Sequence, residues 1–538
     1  MSYSQSWLED PLAIRMLLVV ATAYSVSPTE GSPGEVDFYF STTGYTTSDR
    51  TVFKPIVVGS AGFTESISPD GSTSLSFGDI ELHNLNGELD YLLDPAQYIW
   101  SNRKIKVYYG DPGWSYTLAQ IPGTFLTVFD GVIDDIDTRT TRTINFRVRD
   151  KLEKLNTPIT ENKIGTYGVW ASGQQNKDTI RPIVFGEVFN TTPTLINPAT
   201  LEYCFSCSNP DQVSDATQTV SFANNGASES LIEIRDNGVP IYNSSLTGGA
   251  IVDLNTSTFK LTKTPAGAIT CSIQGVKKSV SLTTGAVSDT YTNNIPNTIA
   301  VIVSQFGKSG SRLSTTSELD LPTFQGFDQT SEIGVLVNGT ENLLSVCQEL
   351  ASSVGGQLIM SRTGQLRLIQ FGTPLSGISS INITVDDILY DSLSVSNRPG
   401  VRAAVKLGFA RNYTVQQNLL SLIPDQHKTS FATEWLTITA KNSTVGVTYK
   451  LDTDPEQKNT ALISTTDANA EATRLINYFD DQRVIYRFTG KSKLLSLVLG
   501  QGVTLFHHRF GLSSGKAGQV ISLSPDWLKQ QVEVEVIV

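Results

Sequence analysis

The segment Lys104-Ile-Lys-Val-Tyr-Tyr109, closed by Gly110-Asp111-Pro112-Gly113, and its companion Thr143-Ile-Asn-Phe-Arg-Val-Arg149, closed by Asp150, set the reading of this chain. In each, polar and apolar side chains alternate, which places one set on each face of an extended strand, and turn-forming residues then stop the run. The same grammar recurs along most of the sequence. Asn86-Gly87, Asp236-Asn237-Gly238 and Arg362-Thr363-Gly364 supply residues that accept positive φ between such runs. The fold is therefore expected to be mainly β, an α+β chain of several antiparallel β-barrel or β-sandwich domains with a few short amphipathic helices.

Two segments break the period of two. Between Glu341 and Val354 the residues Leu343, Val346, Cys347, Leu350, Ala351 and Val354 recur at three and four. Thr340 is placed to cap the start and Gly355-Gly356 to end it. This helix is expected to lay one face on a sheet. Ala468, Ala472, Leu475, Ile476 and Phe479 predict a second helix over Asp467–Phe479, with Thr466 as its cap. A strand pair is expected after each: Gln357–Met360 with Gln365–Gln370, and Val484–Thr489 with Leu494–Val498.

At 538 residues the chain is long enough for three or four domains of about 150 residues each. Breaks are placed near 156–165 and 310–330, which gives domains 1–160, 161–320 and 321–538. The middle one, rich in Ser, Thr and Asn, is expected to be an all-β module or insertion with long loops. The net charge is −12 and only 17% of residues are charged, which argues against a nucleic-acid-binding surface and against disorder. Arg15 interrupts the apolar run Leu12–Tyr24, and Glu9 and Asp10 precede it, so it is not read as a signal peptide. No apolar run is long enough for a membrane-spanning helix.

Candidates for chemistry are few. His507-His508 are adjacent, and on a strand would face opposite ways; His83 and His427 have no spaced partner. Cys204-Phe-Ser-Cys207 has the spacing of half a zinc site or of a redox pair, but the other half is missing. A metal, a disulfide and buried thiols are the alternatives there. Cys271 is placed in a strand, Ile269–Ile273, and Cys347 on a buried helix face. The acidic run Asp130-Gly-Val-Ile-Asp134-Asp135-Ile-Asp137 lacks the order of a calcium loop, and strict alternation interrupts its acids with apolar residues on both faces. It is read as a solvated hairpin edge rather than a carboxylate pair for catalysis. The sequence also has no Gly-x-Ser-x-Gly, His-Glu-x-x-His, Walker or dinucleotide motif. No catalytic, cofactor-binding or metal residue is assigned, and the chain is not expected to be an enzyme.

Several segments carry a resemblance. Phe77-Gly-Asp-Ile-Glu-Leu-His-Asn-Leu-Asn-Gly-Glu-Leu-Asp90, Arg103–Asp111, Phe129-Asp-Gly131, Phe146–Leu155 and Arg181-Pro-Ile-Val-Phe-Gly-Glu-Val-Phe189 form an ordered series. It resembles the baseplate hub or tail-tip hub proteins of tailed bacteriophages. Glu341–Gly356 with Arg362–Arg367 is similar to a helix-plus-hairpin unit of such hubs. Leu499–Leu505, Arg509-Phe-Gly-Leu512, Gly515-Lys516 and the closing strands Val520–Leu528 and Val532–Val538 are similar to their terminal β-domain. Residues 190–310 match nothing in the resemblance.

The resemblance implies a virion structural protein at the tail tip or baseplate. It would be a homotrimer that adapts a sixfold tail tube, or a distal tail protein, to a threefold spike or tail fibre, with a tape-measure protein as neighbour. DNA would pass its lumen without specific binding, and the acidic balance predicts lumen walls that are acidic or uncharged. The alternatives are a distal tail or receptor- and carbohydrate-binding tail protein, with a binding module in 165–310, and a tail-associated cell-wall hydrolase using carboxylates such as Asp134.

Overall fold

The computed structural model describes residues 3–10, 12–26, 32–68, 77–164, 178–208, 226–417, 419, 421, 423–451 and 454–538. The chain forms two compact units, and neither is continuous in sequence. The first comprises Met1–Glu153, Gln357–Pro399 and Arg483–Val538; the second comprises Lys154–Gly356 and Gly400–Gln482. Part of the boundary region near 156–165, and residues 209–225 of the middle segment, lie outside the described residues.

The first unit is built on the opening motif. Arg103–Gly110 alternates as read up to Val107, with Ile105, Val107 and Tyr109 in the main core; Tyr108 departs from the pattern, being buried in a separate cluster with Met16 and Leu18. It sits inside a ten-stranded sheet in which Arg103–Gly110, Leu126–Thr140, Thr143–Arg149 and Phe77–His83 are consecutive antiparallel neighbours. On the other side of Arg103–Gly110 run Met16–Ser25 and Gly34–Ser41. The seven-stranded sheet of the same unit uses Ile381–Ile383, Gly502–Leu505, Lys516–Asp526, Gln531–Ile537, Ile485–Gly490 and Ser394–Asn397, and Glu65–Ser66 pairs with Lys516–Asp526. No sheet among the described residues closes into a barrel. The two sheets share one core: Val107, Phe129 and Phe146 belong to the same buried cluster as Tyr486, Phe488, Val520, Leu523, Trp527 and Val534. Within it the Phe63 and Phe129 rings stack at 4.0 Å. The Tyr109 hydroxyl donates to the Trp527 carbonyl at 3.1 Å.

An ion pair is enclosed in this unit. Arg362 lies in the turn between the paired strands Gly356–Met360 and Leu366–Gln370, with its side chain only 9% exposed, and Glu65 is 4% exposed. Glu65 accepts from the Arg362 amide at 2.7 Å and lies 3.5 Å from its guanidinium. That guanidinium also donates to the carbonyls of Leu495 and Leu497, at 3.2 and 3.0 Å, and sits 5.6 Å from the Trp527 ring centre. This explains one departure from the sequence reading. Leu494–Val498 is not a strand; Ser492–Ser496 is a 3-10 turn that buries Leu494 and Leu495 and leaves carbonyls to the cation. A strand ladder would have consumed them.

In the second unit a five-stranded sheet, ordered Val239–Asn243, Ser228–Asp236, Ile269–Val276, Ile183–Thr191 and Gly334–Val337, shares a core with four strands, Thr194–Asn197, Glu202–Cys204, Thr258–Leu261 and Ala250–Asp253. Between the first two strands, Asn237 and Gly238 take φ of 47° and 83°, the turn their sequence announces. The middle segment is not all-β, however. Ile295–Gln305 is a helix, α1, capped by Asn294 and opened by Pro296. Its run of Ile and Val has strand composition, but nearly every side chain in it is buried, which hides helical periodicity in the sequence.

The helix expected at 341–354 is Leu343–Ser352, α2, capped by Asn342 rather than Thr340. Its buried face meets α1 rather than a sheet. The helix expected at 467–479 is Thr465–Phe479, α3, capped by Ser464 rather than Thr466. Ala472, Leu475, Ile476 and Phe479 of α3 pack on Val405 and Leu407 of a three-stranded sheet, Leu436–Lys441, Ala404–Phe409 and Gln457–Asn459.

Two positions in these units are testable. Gly186, at φ 68°, pairs with Gly334, and a Cβ on Gly186 would lie 1.9 Å from the Ile333 carbonyl oxygen. Replacing Gly186 with Ala is expected to destabilise the protein by about 1–3 kcal/mol, read as a lower urea midpoint. Arg362→Ala is expected to cost about 3–5 kcal/mol, because it leaves the Glu65 carboxylate buried without its cation. A variant that unfolds at the wild-type midpoint would show that the pair holds nothing together.

Candidate functional site

The acidic run lies on Leu126–Thr140, a strand flanked on both sides by partners, so it is not the sheet edge expected from the sequence. A register shift between Ile133 and Asp135 also breaks strict alternation, so side-chain direction cannot be counted across it. Its carboxylates meet the cations of adjacent strands and of the following turn. Asp130 lies 3.5 Å from Lys106 and 2.7 Å from Lys151; Asp134 lies 2.9 Å from Arg149; Asp137 pairs with Arg147. Asp135 is exposed and accepts from the Ile136 amide at 2.8 Å. Three of its four acids, Asp130, Asp134 and Asp137, are thus paired with cations, and Asp135 is left facing solvent.

All four cysteines are buried as thiols. Cys204 Sγ lies 3.5 Å from the Ser206 carbonyl oxygen, within the spacing that suggested a metal or a redox pair. Burial pushes the Cys271 and Cys347 thiols far up from their ordinary range; the Arg235 cation opposes this at Cys271. Among the described residues, no group of three or more His, Cys, Asp or Glu is arranged to hold a metal ion.

The histidines differ from expectation in one respect. His83 and His427 are exposed, but His507 and His508 follow the strand Gly502–Leu505 and lie in a loop, with rings stacked at 4.3 Å rather than pointing to opposite faces. The Arg509 amide donates to His507 Nδ1 at 3.1 Å. Partial burial, then the neighbouring His508 and Arg509, hold the His507 pKa below its ordinary value. This loop and the segment 385–393 line a cavity of about 160 Å³.

A larger cavity, about 250 Å³, lies in the second unit among Glu187, Phe189, Arg411, Asn412, Tyr413 and Thr433. No sequence motif announced it. Asn412 is buried and fully engaged: its amide donates to the carbonyls of Phe431 and Thr433 at 2.9 and 3.1 Å and accepts from Asn190 at 2.9 Å. Arg411 lies 4.7 Å from the Tyr413 ring centre and 3.1 Å from Glu434. The polar atoms around this cavity therefore tie its walls together, from the buried Asn190 and Asn412 to the exposed Arg411 and Glu434.

Neither protein-family models nor curated proteins match the chain. Among solved structures it is similar to tail proteins. A 43 kDa tail protein of prophage MuSo2 from Shewanella oneidensis is 12% identical, covering 97% of this chain and 98% of that one at a TM-score of 0.36. A tail protein from Neisseria meningitidis MC58 is 9% identical, with coverage of 92% and 95% and a TM-score of 0.35. A prophage tail protein from Listeria monocytogenes EGD-e is 8% identical, with coverage of 97% and 94% and a TM-score of 0.37.

The burial of the cysteines has a direct consequence. In the native protein none of the four thiols is expected to react with Ellman's reagent within minutes at pH 8, and all four should react after denaturation. Rapid native labelling of Cys204 or Cys207 would mean that the Cys-Phe-Ser-Cys segment opens to solvent.

Proposed function

We propose that this chain is a structural component of a bacteriophage tail, and specifically a hub subunit at the tail tip or baseplate. The observation that carries the reading is where the hub-like sequence segments go. Phe77–His83, Arg103–Gly110, Leu126–Thr140 and Thr143–Arg149 adjoin one another in one sheet, and the similar segments near the end, Gly502–Leu505, Lys516–Asp526 and Gln531–Ile537, adjoin in the next. Segments some four hundred residues apart close over one core. These segments of the first unit thus share one core, while the similar segments Arg181–Phe189 and Glu341–Gly356 lie in the second unit.

In this reading three copies form a ring below the tail tube or a distal tail protein. The ring meets a tape-measure protein and holds a central spike or fibre, and DNA leaves through its lumen. Sparse charge suits such a subunit, since wide contacts between subunits must desolvate and buried unpaired charges are costly. With −12 per chain, the ring repels DNA on balance, which favours passage over adhesion. The reading uses no catalytic residue, cofactor or metal.

Among the described aromatics of the middle sandwich, Tyr203, Phe205 and Phe259 are buried in its core, so they give a carbohydrate-binding alternative no exposed platform. Asp134, the carboxylate named for the hydrolase alternative, lies 2.9 Å from the Arg149 guanidinium.

Electron microscopy of virions with the chain labelled is expected to show a threefold ring at the tail end, and its lumen is expected to be acidic or uncharged on balance. Label found elsewhere on the particle, or single copies in each tail, would overturn the hub assignment.

A further inference from the structure

We propose that Asn86, in the first unit, is a site of spontaneous modification, at which the Gly87 amide nitrogen closes on the Asn86 side chain and an aspartyl or isoaspartyl residue is left in its place. The inference is independent of the hub reading. Asn-Gly occurs four times in the sequence, at 86, 225, 237 and 338, and Asn225 lies outside the described residues. Glycine has no side chain to shield its nitrogen, so each pair is open to this reaction by sequence, and the fold decides which pair uses it. Asn86 stands with Leu85 and Glu88 in an exposed loop after the strand Phe77–His83. The Gly87 amide is barely held there, since it meets the Asn84 carbonyl only at 3.5 Å, the outer limit of a hydrogen bond. The position also demands glycine: φ is 73°, and a Cβ would lie 2.8 Å from Asp90 Oδ2.

The other two described pairs are restrained. Asn338 is exposed, but the Gly339 amide donates to Glu341 Oε2 at 2.8 Å, and this bond must break before the nitrogen can turn toward the Asn338 side chain. Asn237 and Gly238 form the tight turn with φ of 47° and 83°, and the Asn237 amide donates to the Ala268 carbonyl at 2.9 Å. Gly238 is buried, and a Cβ on it would lie 2.6 Å from Ile423 and 2.7 Å from Leu419. That backbone has little room to rotate into an attacking geometry.

The step needs only water. The Gly87 nitrogen loses its proton and bonds to Asn86 Cγ, the bond from Cγ to Nδ2 breaks, and ammonia leaves with that proton, so a cyclic imide remains. Water then opens the imide at one of its two carbonyls. Opening at Cγ gives aspartate, and opening at the main-chain carbonyl gives isoaspartate, with the chain running through the side-chain carbon. Both products carry a new carboxylate. The ends of the loop are fixed independently of Asn86: the buried Asn84 accepts from the Leu89 amide at 2.9 Å and donates to Asp90 at 2.7 Å, and Leu89 and Leu92 belong to the core. The loop therefore changes its charge and length while the fold around it stays closed.

The test keeps the full-length chain at pH 8 and 37 °C and follows its proteolytic peptides by mass spectrometry over days, with a urea-unfolded sample alongside. In the native protein Asn86 is expected to be modified roughly tenfold faster than Asn237 or Asn338, and in urea the three rates are expected to converge, because the difference lies in the fold. Glu341→Ala frees the Gly339 amide and is expected to raise the native rate at Asn338 while leaving that at Asn86 as it was. Asn86→Gln is expected to remove the fast product. Asn237 or Asn338 keeping pace with Asn86 in the native chain would overturn the assignment, and so would an Asn86 that is modified in urea but not in the folded protein.

Discussion

Arg362 and Glu65 impose the constraint around which the first unit is arranged. Burial works against the Arg362 charge and the Glu65 carboxylate supports it, so neither can stay enclosed unless the other arrives. The guanidinium still has further hydrogens to place, and it finds them the carbonyls of Leu495 and Leu497 with the Trp527 ring alongside. The backbone joins in: the Asp130 amide donates to the Arg362 carbonyl at 2.7 Å. One turn of a hairpin thus sets the positions of residues 65, 130, 495–497 and 527. An apolar side chain of similar size would fill the space, but it would specify none of these partners. The pair contributes register among distant segments more than it contributes energy, because the desolvation of both charges offsets most of their attraction.

What was legible in the sequence follows from the range of the forces involved. The strand Thr143–Arg149 is found at its expected bounds, because one face of it is buried and period two is a local signal. Helices α2 and α3 were legible for the same reason at period 3.6, but their caps moved by two residues, to Asn342 and Ser464, since several Ser, Thr and Asn side chains near each start are competent. Helix α1 was hidden by its success as a core element. With nearly all sides buried it has no polar face, and its β-branched residues give it the composition of a strand. The Leu494–Val498 stretch failed for another reason: its backbone answers to Arg362, more than 130 residues away, and no local pattern carries that information.

The functional surfaces were less legible than the fold. The acidic run looked like an edge because its charges are dense, yet the paired cations come from adjacent strands, where they are visible only once the register is known. On a strand His507 and His508 would face opposite ways, but the strand ends at Leu505 and the loop stacks them. Tyr390 and Phe510 are about 120 residues apart and share no motif, so the concavity that both line exists only in the folded chain. The cysteines were the easier case, since small apolar surroundings at Cys271 and Cys347 already marked them as core.

The path of the chain bears on when the core of the first unit closes. The first unit is left after Glu153, rejoined at Gln357, left again after Pro399 and closed only by Arg483–Val538. Its core includes Phe488, Val520, Trp527 and Val534, so the sheet made by the first 153 residues has a bare apolar face until the final strands are added. The loop-closure entropy of bringing these ends together grows only slowly with the length between them, so the intervening second unit adds little equilibrium cost. It does delay the contacts, because pairings distant in sequence form late. A shortened chain would keep that face exposed and the Arg362 site incomplete. The core of the first unit therefore depends on segments contributed from three separate stretches of the sequence.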